Sequence, residues 1–429
     1  MARWVTSRWL AIVWLLLIGG GSGLLAGCGA EEDVLARVES GDLAVDQGDF
    51  QQAVAHYTVV IDKAREGTVF ENDAELALVV QKRGEAHAAR EQYRDALQDF
   101  TFAARLDPGN LDIRFDRGVT HRLAGELETA VEDFNEVLAV RPEDAQARYQ
   151  RGVTLLALEQ VDEAITDLEV AIQVAPGDAE MLYQRGRAYL AAQRYREAIQ
   201  DFSAAIRFDP NLANAFMQRG VAYSEIRSYD EAIQDFSTVI RFRPDSAEAF
   251  NLRGLANAGK GLLTPAVEDY TAAIQLRPDY IEALFNRGLA YTEKTFYDRA
   301  KNDFTEVIER RPDHARAFNQ RGLVNAYKGL VDQAVADYTE AIRLDPEFAL
   351  AYHNRGNIFS NQTDYSRAIA DYSRAVELDP DNAVAFYDRG NAYFFQGERE
   401  KAVQDYKWAF ALDPTIPGIQ ETMRQLGIN

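Results

Sequence analysis

Apolar residues recur along this chain in two helical stripes per cycle, and the cycle repeats. In the stretch 179–212 the first stripe is Leu182, Tyr183, Gly186, Tyr189 and Leu190; the second is Ala198, Ile199, Phe202, Ala205, Ile206 and Phe208. Spacings of three and four place each set on one side of a helix. Tyr195-Arg196 falls between the stripes and predicts the turn. Pro210, after Asp209, ends the second helix, because proline lacks the backbone N–H and restricts the residue before it. The product is an antiparallel helix pair with apolar residues at both outer edges, which only a neighbouring pair can bury.

The cycle keeps strict register. Gly84, Gly118, Gly152, Gly186, Gly220, Gly254, Gly288, Gly322, Gly356 and Gly390 are 34 residues apart, and each follows an arginine. Each glycine is followed at +12 by alanine (Ala96 through Ala402), at +15 by aspartate (Asp99 through Asp405) and at +24 by proline (Pro108 through Pro414). Glycine inside a helix costs about 1 kcal/mol against alanine. Its recurrence therefore predicts close approach of the second helix, near the alanine at +12.

A 34-residue helix–turn–helix period with this glycine, aromatic, alanine and proline spacing resembles the tetratricopeptide repeat family. The resemblance covers about residues 34–416. It implies an all-α fold, a right-handed superhelical solenoid of about eleven repeats, with first helices inside and second helices outside. A fold of this kind hosts many functions, so function has to be argued from a site.

The chain's start is different in kind. Arg3 and Arg8 precede the apolar run Trp9–Ile18, and small residues lead to Leu25-Ala26-Gly27-Cys28, which reads as a secretory signal over residues 1–27. Leu-Ala-Gly-Cys resembles a bacterial lipobox, which implies cleavage before Cys28 and lipidation of its sulfur; an ordinary signal peptide with an incidental cysteine is the alternative. Cys28 is the single cysteine, so no intramolecular disulfide forms. The implied location is extracytoplasmic, lipid-anchored to a bacterial membrane, the outer one in a diderm, since Gly29 rather than Asp follows the cysteine. Residues 28–33 are expected to be the lipidated cysteine and an acidic tether. An atypical first repeat over 34–76 follows, with an insertion near Glu66–Asp73, then ten regular repeats over 77–416 in one continuous array. A capping helix over 417–429 presents Ile419, Met423 and Leu426 to the last repeat.

The formal net charge is -22, and removal of the signal makes it more negative still. Nucleic acid and anionic lipid headgroups recruit basic patches, so no nucleic acid partner is expected. Gly254 with Gly259-Lys260 imitates a phosphate loop, but no strand precedes it and Gly261 stands where serine or threonine is needed; no nucleotide, other cofactor or metal is expected. His56, His87, His121, His314 and His353 form no ligand motif. His87 and His121 share a repeat position, which suits packing residues. No nucleophile elbow or triad signature is visible, and the aspartates in phase recur identically, so the chain reads as no enzyme.

Two repeated features remain. Arginine before each glycine and aspartate at +15 recur together, which predicts a partly buried bidentate pair; exposed partners that merely neighbour each other are the alternative. Family architecture also puts the residues at -3, -2, +1, +4 and +5 in a concave groove. The -3 residues include Phe115, Tyr149, Tyr183, Met217, Phe285, Asn319, His353 and Tyr387. The -2 residues include Gln150, Gln184, Gln218, Asn286, Gln320 and Asn354. Amides offer donors and acceptors to a peptide backbone, so a protein or extended peptide is the expected partner, unless the amides reflect repeat duplication alone. The resulting expectation is a lipid-anchored scaffold that binds protein partners during assembly of an envelope complex. The alternative is a polysaccharide-handling lipoprotein of a glycan secretion or cell-wall synthesis complex, with aromatic rings as sugar platforms.

Overall fold

A computed structural model describes residues 28–66, 70 and 72–427. The expected signal, the Cys28 side chain and most of the insertion 67–71 lie outside the described residues. Among the described residues there are 23 helices and no strand, and no helix is long and apolar enough to cross a membrane. The fold class read from the sequence, an all-α solenoid of helix pairs, is the one observed.

The chain forms two compact units, divided between Ala192 and Gln193. The first holds α1 (Cys28–Asp46), α2 (Phe50–Glu66), α3 (Asp73–Ala89), α4 (Tyr93–Leu106), α5 (Leu111–Ala124), α6 (Leu127–Val140), α7 (Ala145–Ala157), α8 (Val161–Val174) and α9 (Ala179–Ala191). The second runs from α10 (Tyr195–Phe208) through α11 (Ala213–Glu225) and α12 (Tyr229–Phe242) to α22 (Arg399–Leu412) and the short α23 (Ile419–Gln425). Within each unit, consecutive helices pack as antiparallel pairs and each pair packs on the next. Gly29–Asp33, expected as a tether, is helical backbone at the start of α1. Ile419 and Met423 of α23 are buried in one cluster with Tyr406 and Ala409 of α22.

The repeat glycine faces a ring, a refinement of the expected contact. A Cβ on Gly220 would lie 2.8 Å from Phe236, and one on Gly288 would lie 2.7 Å from Phe304. The second helix thus comes close through its buried residue at +16, an aromatic in these repeats and Leu168 opposite Gly152. Backbone at the +12 alanine is among the nearest atoms at Gly152 and Gly390, where Ala164 O and Ala402 O would be 3.3 Å away.

The turn between paired helices also departs from expectation. Tyr195 and Arg196 open α10, and the reversal comes earlier, at a left-handed residue seven positions after the repeat glycine. Gly125, Gly261, Gly329 and Gly397 supply it in four repeats, but Glu91, Glu159, Gln193, Arg227, Thr295 and Thr363 adopt it with φ of 58 to 63°. That conformation brings an L-residue's Cβ against the carbonyl that follows, at a cost of about 1–2 kcal/mol.

Arginine holds neighbouring pairs together. Arg287 donates Nε and Nη2 to Asp303 on the second helix of its own repeat, at 2.9 and 2.8 Å, and Nη1 to Thr271 on the preceding second helix at 3.2 Å. Arg83, Arg219, Arg355 and Arg389 make the same three contacts, with Thr58, Ser203, Thr339 and Ser373 as the third acceptor. The expected pair is therefore real, and its free nitrogen also links one repeat to the next.

Candidate functional site

Successive first helices adjoin one another, α3 with α5, α5 with α7 and α7 with α9. Their exposed sides make one face in the first unit. Most residues three before the repeat glycine do not line it. Phe115, Tyr183, Met217, Phe285, Asn319 and His353 are buried, and only Tyr149 and Tyr387 are part-exposed. Three residues is close to one helical turn, so the -3 side chain shares the glycine's side, which faces the second helix. Ring contacts follow: Phe115 on Phe134 at 6.0 Å, Phe285 on Phe304 at 5.6 Å, His353 on Tyr372 at 5.6 Å and Tyr387 on Tyr406 at 5.7 Å. The six buried residues are core rather than groove, a correction to the sequence reading.

The polar residues at -3 and -2 also have partners. Asn286 Nδ2 donates to Asn251 Oδ1 at 3.2 Å, and Asn354 Nδ2 to Asn319 Oδ1 at 3.0 Å. His353 Nε2 meets Asp388 Oδ2 at 2.8 Å, and Gln81 Nε2 donates to Asp116 at 2.6 Å. In every case a -3 residue joins the -2 residue of the following repeat. Asn286 and Asn354 thus form rungs between neighbouring first helices, which supplies a structural reason for the amides at these two positions. Gln218 and Gln320 are part-buried.

One cluster in the first unit differs. Gln150, 5% exposed, accepts from Arg122 Nε at 3.1 Å; Gln184 accepts from Arg187 Nη1 at 2.8 Å and donates to Glu180 at 2.6 Å. Arg122, Gln150 and Arg187 come from α5, α7 and α9, and Tyr149 of α7 stands among them. Burial pushes the Tyr149 hydroxyl up, and the Glu180 carboxylate adds to this while Arg122 and Arg187 oppose it. Burial likewise holds the Arg122 guanidinium below the ordinary arginine value. Neither arginine has a carboxylate partner among the described residues. The sequence reading missed both, although +4 and +1 carry small or apolar residues in most other repeats and an arginine there is a visible departure.

The remaining candidates resolve into structure. Gly254 lies within a helix, where a Cβ would meet the Tyr270 ring at 2.6 Å, and Lys260 is paired with Asp230. His87 and His121 each bond to the turn that follows them, through Gln92 at 2.9 Å and Glu126 at 2.6 Å.

A family model described as tetratricopeptide repeat matches residues 82–145, 124–178 and 149–213. Others so described match 213–246, 281–314 and 383–416, and one described as TPR repeat matches 260–294, 322–363 and 362–397. No curated protein matches the chain. Among solved structures, a tetratricopeptide repeat protein from Parabacteroides merdae is 21% identical, over 58% of this chain and 99% of its own, with a TM-score of 0.49. YrrB, described as a TPR protein with an unusual peptide-binding site, is 22% identical over 44% of this chain and 97% of its own, at 0.37. Yeast Tom70 is 13% identical over 92% of this chain and 95% of its own, at 0.44.

Proposed function

The chain belongs to the tetratricopeptide repeat family, and from that premise we propose that it is a non-catalytic scaffold that holds a protein or extended peptide against its first-helix face. We place it outside the cytoplasm, anchored through a lipid on Cys28, in the assembly of an envelope complex. The observation that carries the binding reading is the pair Arg122 and Arg187. Arg122 is part-buried and Arg187 exposed; leaving a part-buried cation such as Arg122 without a counter-ion is costly, and the chain as a whole is strongly acidic. Two unpaired guanidinium groups beside Tyr149 offer planar donors to a partner carboxylate or backbone carbonyl, with the Tyr149 ring as apolar contact area.

Crosslinked pulldown from intact cells identifies the partner. Arg122→Ala combined with Arg187→Ala is then expected to weaken its binding at least about tenfold, in the range of an interface hot spot, with the melting temperature preserved. Retention of full affinity by this variant, with loss in variants of exposed second-helix residues such as Gln200 or Glu231, would place the interaction on the other face.

A second reading has one observation in its favour. In the second unit Tyr327, 58% exposed, stacks on Tyr297 at 5.3 Å, and Phe395, 65% exposed, stacks on Tyr365 at 5.6 Å. Exposed flat rings suit sugars, so glycan handling remains the alternative. Binding of cell-wall or secreted glycan, lost in Tyr327→Ala with Phe395→Ala, would favour it.

A further inference from the structure

We propose that the outward side of α4 is a second docking groove, separate from the first-helix face, which takes an extended acidic segment of a partner protein. The groove has a volume of about 740 Å³ and runs along α4 against the corner where α5 turns into α6. Its floor is Leu97, Thr101 and Phe102, with Arg94 and Arg105 towards its two ends. Ala96, Asp99, Phe100 and Ala103, on the opposite side of the helix, are buried in the first unit's core. Phe102 rests partly against that core, and Leu97, Thr101 and Phe102 each keep a part-exposed side towards the groove.

Departure from the repeat separates this groove from architecture. The position of Arg94 is acidic in six of the other nine regular repeats, beginning with Glu128 and Asp162. The position of Phe102 carries an aromatic in one other regular repeat, at Trp408, and arginine, aromatic and arginine coincide at these three positions in α4 alone. Thr101 departs too. Its equivalents Ser203, Thr271 and Ser373 accept from the following repeat's arginine, but Arg117 spends its bonds on Asp133 and the Thr101 hydroxyl has no partner among the described residues.

Charge complementarity selects the occupant. Arg94 and Arg105 have no carboxylate partner among the described residues, and Glu126 on the far wall is held by His121. Eleven residues of helix separate the two arginines by about 16 Å. An extended chain covers that span in about five residues at roughly 3.3 Å each. The geometry thus fits two carboxylates about five positions apart, with apolar side chains between them on Leu97 and Phe102.

The probe is a fluorescein-labelled peptide Gly-Glu-Ala-Leu-Ala-Leu-Glu-Gly, titrated by anisotropy with the purified protein beside the analogue carrying glutamine for both glutamates. The glutamate peptide is expected to bind at least tenfold tighter. Arg94→Glu with Arg105→Glu should abolish the difference while helical circular dichroism is unchanged, since both side chains are exposed. Arg122→Ala with Arg187→Ala should leave it intact. Equal binding of the two peptides, no saturable binding, survival of the preference in the charge-reversed variant, or its loss in the Arg122 and Arg187 variant would each overturn the proposal. So would a concentration-dependent dimer in sedimentation that charge reversal dissolves, because the occupant would then be a second copy.

Discussion

Arg219 and Asp235 are joined by two parallel hydrogen bonds, Nε to Oδ2 and Nη2 to Oδ1, both 2.8 Å long. Asp235 has only 4% of its side chain exposed, and the Arg219 guanidinium also lies 5.5 Å from the centre of the Phe216 ring. The bidentate carboxylate holds the guanidinium's proton, so the arginine sits above its ordinary value despite burial. Asp235→Asn leaves that cation part-buried and half-bonded, and it is expected to destabilise the protein by about 3 kcal/mol. The neighbouring exposed change Gln234→Lys should move stability by less than about 0.5 kcal/mol. Equal small shifts of the melting midpoint in both variants would sink the account.

The left-handed turn residue predicts the opposite sign. Thr363 has φ of 63°, a conformation that β-branched residues rarely adopt, whereas Gly329 and Gly397 occupy the same place in adjacent repeats. Thr363→Gly relieves strain but gives up some entropy in the unfolded chain. The expected net gain is up to about 1 kcal/mol in chemical denaturation. Gly329→Thr should lose a comparable amount.

His314 gives the protein a pH dependence of known sign. It caps the helix Ala315–Tyr327, where its Nδ1 accepts the Ala317 N–H at 3.1 Å, and this requires a neutral ring. Burial, with smaller contributions from Arg311 and Arg316, holds its pKa below the ordinary 6.5. The unfolded chain therefore takes up the proton first. The cap's stabilisation is full above about pH 6.5 and declines as pH falls towards the folded value. Comparing unfolding of wild type and His314→Asn between pH 7.5 and 5 should show the smaller loss in the variant, since asparagine caps without titrating.

The proposed location rests on one atom, the sulfur of Cys28. Cys28→Ser is expected to release a soluble protein or to leave an uncleaved precursor, and wild-type protein made in bacteria should incorporate labelled palmitate. Absence of label in the wild type would remove the lipid anchor from the proposed function.

The architecture was legible because repetition multiplies weak local signals. One glycine in a helix says little, but ten in phase with arginine, alanine, aspartate and proline determine period, helix pairing and the ion pair, since every copy solves the same packing problem. Direction was harder to read. Family architecture placed Phe115 and Phe285 in a groove, whereas the second helix's rings draw them into the core, and only the packed pair shows which side of a first helix is left over. The same holds for the amides. Asn251 and Asn286 lie 35 residues apart and meet only because the first helices of neighbouring repeats stack side by side. The left-handed turn stayed hidden because six repeats place a residue other than glycine there. Residues that break the pattern, such as Arg122, Arg187 and the trio on α4, carry no periodic signal at all. The sequence could therefore determine what all repeats share, while the tertiary structure decided which exceptions stand together and which of them lack a partner.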